Sequence, residues 1–450
     1  SEFRGVGNIN IRDVDSVAYI LTGTGRAATQ FNSTGASPNF VDNLVLNSNG
    51  NKYTYISMKD ATLNYENTKT ISSDGTVFIN ADDSNIDLMA NASINSTNKG
   101  VIGVYSKGFN DIKNKGKIEL TGDDSTAIYG NNSTVTNDNG NIKIGNTGSG
   151  IYVENGSTGT GTGNITVTGD GNTAIANFGT FTQTGGTIDV SGKNSIGIYA
   201  KDATSDTLIK NSIVNAKDGA VAFYADGSVG NESTIKIDGV TSNIGDGGLL
   251  FFNYTGTGTG QVGKFNILSS GMTANILSGG VAFYNRGNIG SEANFLNMIT
   301  GNLTLDMKPG SRLFVFDDPG ITQNLSTMPT SVVGTSVSNA SGTGTINIIG
   351  SDYKYTTGNK ATLNIDQNVN LDQVGDSYYK VDFFSSNVNV GIPSSSIMTN
   401  NGNPIANSLK YAIAQKNSGT TAGSVTVDVK PTGQIRLTNQ TGLLGVITDK

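Results

Sequence analysis

The 450-residue chain has no cysteine, no histidine and no tryptophan, and only seven prolines. Without cysteine it carries no disulfide framework and no thiol chemistry. Without cysteine and histidine, a Ser–His–Asp triad, a Cys–His pair, an HExxH zinc site and a Cys₄ zinc site are all excluded. Charge is sparse at 14%, with a net charge of −7. That argues against nucleic acid and anionic membrane surfaces, which both select basic faces. No run of 18 apolar residues occurs, so no segment reads as a membrane-spanning helix. A cysteine-free chain suits export in an unfolded state through an oxidising compartment, although large solenoids also manage without such staples.

What the chain has instead is a repeat. Apolar residues make up only 35% and glycine numbers 60, a balance that taken in bulk suggests disorder. Yet a phrase of the form small–Ala/Gly–aliphatic–aromatic recurs. It reads Ile102-Gly103-Val104-Tyr105, Thr126-Ala127-Ile128-Tyr129, Ser149-Gly150-Ile151-Tyr152, Thr173-Ala174-Ile175-Ala176, Ile196-Gly197-Ile198-Tyr199 and Val221-Ala222-Phe223-Tyr224. Looser forms stand at Thr76–Asn80, Leu249–Phe252, Val281–Tyr284 and Leu313–Phe316. The spacing is 23–25 residues as far as Tyr224 and then lengthens to 28–32. Such a period marks a solenoid, in which each repeat buries its apolar face only when its neighbours stack on it.

A second phrase gives the kind of solenoid. Gly116–Leu120, Asn141–Ile144, Asn164–Val167, Thr187–Val190 and Thr234–Ile237 alternate apolar with polar, the period of a strand with one buried face. A third, weaker phrase lies between the first two, at 109–112, 134–136 and 180–184. Three short strands per turn, joined by Gly/Asn/Asp corners, predict an all-β, right-handed parallel β-helix with three sheets and about 23–25 residues per coil. In this register Ile118, Ile142, Ile165, Ile188 and Ile235 form an interior ladder, while Lys143, Thr166, Asp189 and Lys236 face out. The whole is expected to be a single elongated rod.

Proline placement divides the chain. None falls between Pro38 and Pro309, as uninterrupted ladders require. Residues 1–3 read as a cloning scar, 4–44 as N-terminal strands of a cap or first coil, and 45–317 as the regular β-helix. Residues 318–342 read as an extruded loop, and 343–450 as a continuation with an insertion and a short helix at 403–417. Asn403 caps that helix, Pro404 opens it, and Ile405, Leu409 and Ile413 line one face. The chain is expected to be a fragment of a longer protein. Loops 318–342 and 393–420 are the expected binding candidates, because coil residues are committed to ladders.

Paired carboxylates at Asp82-Asp83, Asp123-Asp124 and Asp317-Asp318 are the one catalytic pattern available, as in β-helical polysaccharide hydrolases and lyases. Corner chemistry accounts for the first two pairs more simply, and the third lies where the regular coil ends. Asp/Asn-rich turns offer oxygen ligands for calcium, but no calcium loop matches. Gly156–Gly163 and Gly256–Gly260 resemble phosphate loops only superficially and read as flexible corners. Gly192-Lys193-Asn194 lacks the glycine and hydroxyl residue of a phosphate loop. Tyr105, Tyr129, Tyr152, Tyr199, Tyr224, Phe252, Tyr284 and Phe316 form either a packing ladder or a sugar-binding stripe, with packing favoured. Asn114, Asn137 and Asn139 suit left-handed corners. No catalytic, metal or cofactor residue is assigned.

Residues 163–175 (Gly-Asn-Ile-Thr-Val-Thr-Gly-Asp-Gly-Asn-Thr-Ala-Ile) and 186–200 (Gly-Thr-Ile-Asp-Val-Ser-Gly-Lys-Asn-Ser-Ile-Gly-Ile-Tyr-Ala) resemble passenger domains of type Va autotransporters. In their Asn/Ile/Lys/Gly bias they are similar to the large fusobacterial outer-membrane autotransporter adhesins. The resemblance covers roughly 75–317 and its motif is architectural. It implies a signal peptide and a C-terminal outer-membrane β-barrel in the whole protein. It also implies a monomeric, non-enzymatic adhesin on the bacterial surface or released from it, with host-cell or partner-bacterium proteins or glycans as receptors. Two alternatives are a vacuolating-toxin-like passenger and a β-helical polysaccharide-active enzyme.

Overall fold

The computed structural model describes residues 3–316 apart from 12, 14, 27–28, 34–38, 202–204, 228–230, 260–262, 289–297 and 309–310. Beyond 316 it describes strands only, at 322–325, 335–338, 345–350, 354–357, 362–365, 380–383, 387–390, 425–429, 434–438 and 444–448. The expected helix at 403–417, Asp317-Asp318 and all of 391–424 lie outside the described residues. Contacts divide the chain into two units, Ser1–Tyr224 with Ser233–Thr241, and Ala225–Glu232 with Ser242–Lys450.

The first unit is a right-handed parallel β-helix with one strand per sheet in each coil. A tyrosine sheet stacks Ser16–Thr22, Tyr53–Lys59, Val77–Asp82, Ile102–Lys107, Thr126–Asn131, Ser149–Val153, Thr173–Asn177 and Ile196–Lys201 in that order. A threonine sheet stacks Gln30–Asn32, Thr62–Tyr65, Asn85–Leu88, Asp111–Asn114, Thr134–Asn137, Thr158–Gly161, Thr180–Thr184, Asp206–Lys210 and Ser233–Asp238. An isoleucine sheet stacks Thr68–Ile71, Ser93–Ser96, Lys117–Leu120, Asn141–Ile144, Asn164–Thr168, Thr187–Ser191 and Ile213–Lys217. Strands this short are stable because each, apart from Ser16–Thr22, Gln30–Asn32 and Thr68–Ile71 at the ends of the stacks, is paired on both edges, and one face is covered by the other two sheets.

Ile118, Ile142, Ile165 and Ile188 stand in register on successive coils, and all are buried. Each such side chain contributes about 1.5–3 kcal/mol on leaving water. Lys143, Thr166 and Asp189 alternate to the outside. The expectation for Ile235 needs correction. It is buried, but it pairs with Thr207 in the threonine sheet, and the partner of Ile188 in the next coil is Val214. Two sheets share the same alternation, so a strand in the longer coil after Tyr224 matches the wrong phrase.

Corners carry the residues that tolerate left-handed backbone. One corner column holds Gly75, Gly100, Asp124, Thr147, Gly171 and Asn194, all with positive φ. Beneath the corners, serine and asparagine side chains bind the backbone of the adjoining coil. Ser125 accepts from the Val101 N–H at 3.2 Å, Asn172 from Gly148 at 2.8 Å, and Ser195 from Asn172 at 3.1 Å. Asn139 takes the left-handed conformation expected of it. Asn114 and Asn137 do not. They are buried in the core, where Asn114 Nδ2 donates to Asn137 Oδ1 at 2.9 Å.

The tract Gly156–Gly163 is likewise not a corner for most of its length. Thr158–Gly161 is a strand with threonines outward and glycines inward. A Cβ on Gly159 would strike the ring of Phe181 and one on Gly161 would strike the amide of Gln183, their register partners on the next coil. The glycines make room for two large neighbours. Gly256–Thr259 also lies within a strand, Leu249–Thr259.

Ahead of these coils, Phe3–Asn10 pairs in parallel with Phe40–Asn47. In the second unit, three parallel ladders run 249–254 with 281–286, 265–266 with 299–300, and 272–276 with 303–307. Within 318–342, expected to be a loop, Thr322–Leu325 pairs in parallel with 362–365, and Thr335–Ser338 pairs antiparallel with 345–348. The last strands, 425–429, 434–438 and 444–448, pair antiparallel. No helix of the described residues is long and apolar enough to cross a membrane.

Candidate functional site

Of the two acidic pairs among the described residues, Asp83, Asp123 and Asp124 sit at corners and are occupied there, while Asp82 ends the strand Val77–Asp82. Asp83 has φ +47 and its Oδ1 accepts from the Phe109 N–H at 3.0 Å. Asp123 Oδ1 accepts from Asn146 Nδ2 at 3.1 Å. Asp124 has φ +56 and its Oδ2 lies 2.9 Å from Lys99 Nζ. Hydrogen bonds from Thr147 and then Lys99 hold the Asp124 carboxyl below the usual carboxylate range.

One carboxylate is placed very differently. The strand Phe40–Asn47 carries Asp42 into the interior, where its side chain has no exposed surface. The Tyr19 hydroxyl donates to Asp42 Oδ1 at 3.0 Å and the Tyr65 hydroxyl to Oδ2 at 2.7 Å; the Tyr55 hydroxyl also donates to Oδ1. Lys69 Nζ lies 3.0 Å from Oδ1, donates to the Leu44 carbonyl at 2.9 Å, and sits 5.0 Å from the centre of the Tyr55 ring. The partners come from all three sheets, so a single carboxylate ties the first coils together. Burial, and then the Asp42 charge, push the phenols of Tyr19, Tyr55 and Tyr65 far above their ordinary range. The sequence reading missed this site. Its signal is Lys69, which stands in register with Ile94 at an inward position where the coils that follow carry isoleucine.

The aromatic repeat becomes a ladder on the outer face of the tyrosine sheet. Tyr105 and Tyr129 stack with centroids 5.2 Å apart and planes at 17°, Tyr129 and Tyr152 at 4.8 Å and 10°. Ala176 stands in register with Tyr152, but Phe178 from the following corner fills that rung, 5.0 Å from Tyr152 and tilted by 26°. Beyond it the rings turn edge-on, at 62° between Phe178 and Tyr199 and 63° between Tyr199 and Tyr224. Tyr129 donates to the Glu154 carboxylate. Partial burial and then the Glu154 charge raise the Tyr152 phenol. Within the stacked stretch the facing rings cover one another, so between its ends the ladder turns edges to solvent. In the second unit Phe252 and Tyr284 stack at 5.6 Å and 21°.

The threonine sheet presents a second regular face. Thr134, Thr158 and Thr180 form one column and Thr136, Thr160 and Thr182 another, in register on three coils. Thr160 Oγ1 donates to Thr136 Oγ1 at 3.2 Å. Among the described residues no group of three or more carboxylates converges to hold a metal ion. No protein-family model, characterised protein or solved structure matches the chain.

Proposed function

We propose that the chain is an adhesin passenger of the autotransporter type, a β-helical scaffold that displays a recognition surface away from the bacterial cell. The observation that carries this reading is how the coils divide their residues. Inward positions of the first unit are consumed by stacking, and outward ones carry ordered hydroxyl and aromatic columns of low charge. Such a face suits attachment through many weak polar and stacking contacts to protein or glycan receptors, and the corner-bound Asp83, Asp123 and Asp124 give catalysis little to build on. The location is the outer surface, by way of a C-terminal β-barrel, with the passenger acting as a monomer or after release. The test is saturable binding of the labelled, purified chain to epithelial cells and to partner bacteria, with excess unlabelled chain competing. Absence of saturable binding to both contradicts the reading.

A further inference from the structure

The aromatic ladder stops abruptly at its N-terminal end, and the stop has a definite shape. Tyr105 stacks on Tyr129 on one side. On the other side its register partner is Asn80, whose partner is Ser57, whose partner in turn is Ile20. Two consecutive rungs therefore carry small polar side chains where the rungs above carry rings. Each rung is about 4.8 Å, so the interruption is about 10 Å along the sheet. Neither Ser57 nor Asn80 makes a side-chain hydrogen bond among the described residues, and both are part-exposed. The wall opposite Tyr105 is Ile20, which is 67% exposed.

Along the same strands lies Asp82, in register with Lys59 on one coil and Lys107 on the other. At the adjoining corner Phe109 is 69% exposed, its N–H held by Asp83. The notch thus brings together one aromatic ring face without an aromatic partner, an amide, a hydroxyl and a carboxylate. Apolar walls with a few convergent polar groups are the general pattern of small-ligand sites.

We infer that this notch binds a neutral pyranose ring, with the apolar C–H face of the sugar laid on Tyr105 and its hydroxyls on Ser57, Asn80 and Asp82. The sugar takes the place of the missing rung of the ladder. A cationic ligand would also favour an aromatic face, but the two lysines bracketing Asp82 oppose it. An aromatic side chain of a protein partner would fill the rung and leave the hydrogen-bonding capacity of Ser57 and Asn80 unmet. This inference rests on the adhesin reading and names one ligand class for it.

The test is saturation-transfer NMR on the purified chain with methyl glucoside, galactoside and mannoside, alongside the cell-binding assay. Asn80→Tyr extends the ladder by one rung and closes the notch. It should keep or raise the melting temperature while weakening pyranoside binding by about tenfold or more, equivalent to about 1.4 kcal/mol. Tyr105→Leu keeps apolar bulk but removes the ring face, should weaken binding similarly, and decides the matter if Asn80→Tyr fails to fold. Transfer to none of the three pyranosides, or binding unchanged in a folded variant, overturns the notch. Cell attachment without pyranoside binding overturns the notch and leaves the adhesin reading intact. Pyranoside binding without attachment does the reverse.

Discussion

The coils from Thr76 to Tyr224 and the coils before them fill the same cross-section with different chemistry. The later coils repeat themselves: Ile118, Ile142, Ile165 and Ile188 lie one above another, and Ser125, Asn172 and Ser195 close corners onto the adjoining coil. The earlier coils keep part of this repeat, as in Ile56 over Ile79, and depart from it at their centre. They place Tyr19, Phe40, Tyr55 and Tyr65 inside, packed edge to face or stacked at 5.0–5.5 Å with one another and with Phe78 of the next coil, around the Asp42–Lys69 pair. A middle coil gains specificity from two identical neighbours, since a slip would misalign every rung. The first coils have such a neighbour on one side only. A buried carboxylate with several required partners fixes one arrangement there, because any other leaves a charge unpaired.

The contrast is sharpest for a charge placed in each interior. Ile165→Asp puts an unpaired carboxylate between Ile142 and Ile188 and should cost more than about 4 kcal/mol. Thr166→Asp, one residue on, lies outside between Lys143 and Asp189 and should change stability by less than about 0.5 kcal/mol. Denaturant titration of both variants checks this, and similar losses would mean that the faces are misassigned.

In the first coils the charge is required. Asp42→Ala leaves Lys69 and three phenols without their acceptor and should cost about 3–5 kcal/mol. Asp42→Asn, which keeps an acceptor oxygen, should cost less. A neutral effect of Asp42→Ala in thermal or chemical denaturation would show that the cluster contributes nothing to the cap.

The same site gives a pH dependence with a definite sign. Tyr19, Tyr55 and Tyr65 have raised values in the folded chain, while in the unfolded chain they ionise near 10.0. Above that pH the folded state holds more protons than the unfolded state, so stability falls as pH rises. Below it the contribution is fully present. For three phenols the slope approaches about 4 kcal/mol per pH unit. Urea midpoints between pH 8 and 11.5 should be flat and then drop, and a flat profile to pH 11.5 would contradict the burial of these hydroxyls.

A smaller effect concerns the corners. Thr147 is a β-branched residue at φ +53 in a column otherwise filled by Gly, Asp and Asn. Its hydroxyl accepts from the Asp124 N–H at 3.1 Å, which offsets part of the strain. Thr147→Asn should raise stability by about 1 kcal/mol, read as a higher melting temperature.

The repetitive part of this fold is legible in the sequence because period-two alternation and a constant coil length carry the same information. The chain, the three sheets and the Ile118–Ile188 ladder follow from these alone. What does not repeat is not legible in this way. Ile235 misleads because two sheets share one alternation. Thr158–Gly161 reads as a corner because the reason for its glycines, Phe181 and Gln183, lies 22 residues further on. Phe178 escapes notice because it fills its rung from outside the strand. Asp42 and Lys69 meet only through the first coils' closure, and only the odd lysine opposite Ile94 hints at it. The notch at Asn80 is visible as a missing aromatic in the repeat once Tyr105 is known to face outward.

The absence of cysteine offers the most direct test of parallel, in-register stacking, since any introduced pair is the only pair present. Lys143 and Thr166 are register partners on adjacent coils, and Thr166 in turn partners Asp189. Adjacent rungs place the Cα atoms about 5 Å apart, within disulfide reach, and rungs two apart place them about 10 Å apart, beyond it. Lys143→Cys with Thr166→Cys should therefore cross-link within the chain under mild oxidation and keep the native melting transition. Lys143→Cys with Asp189→Cys should remain reduced. Ready cross-linking of the second pair, or none in the first, would contradict the coil register on which the whole account stands.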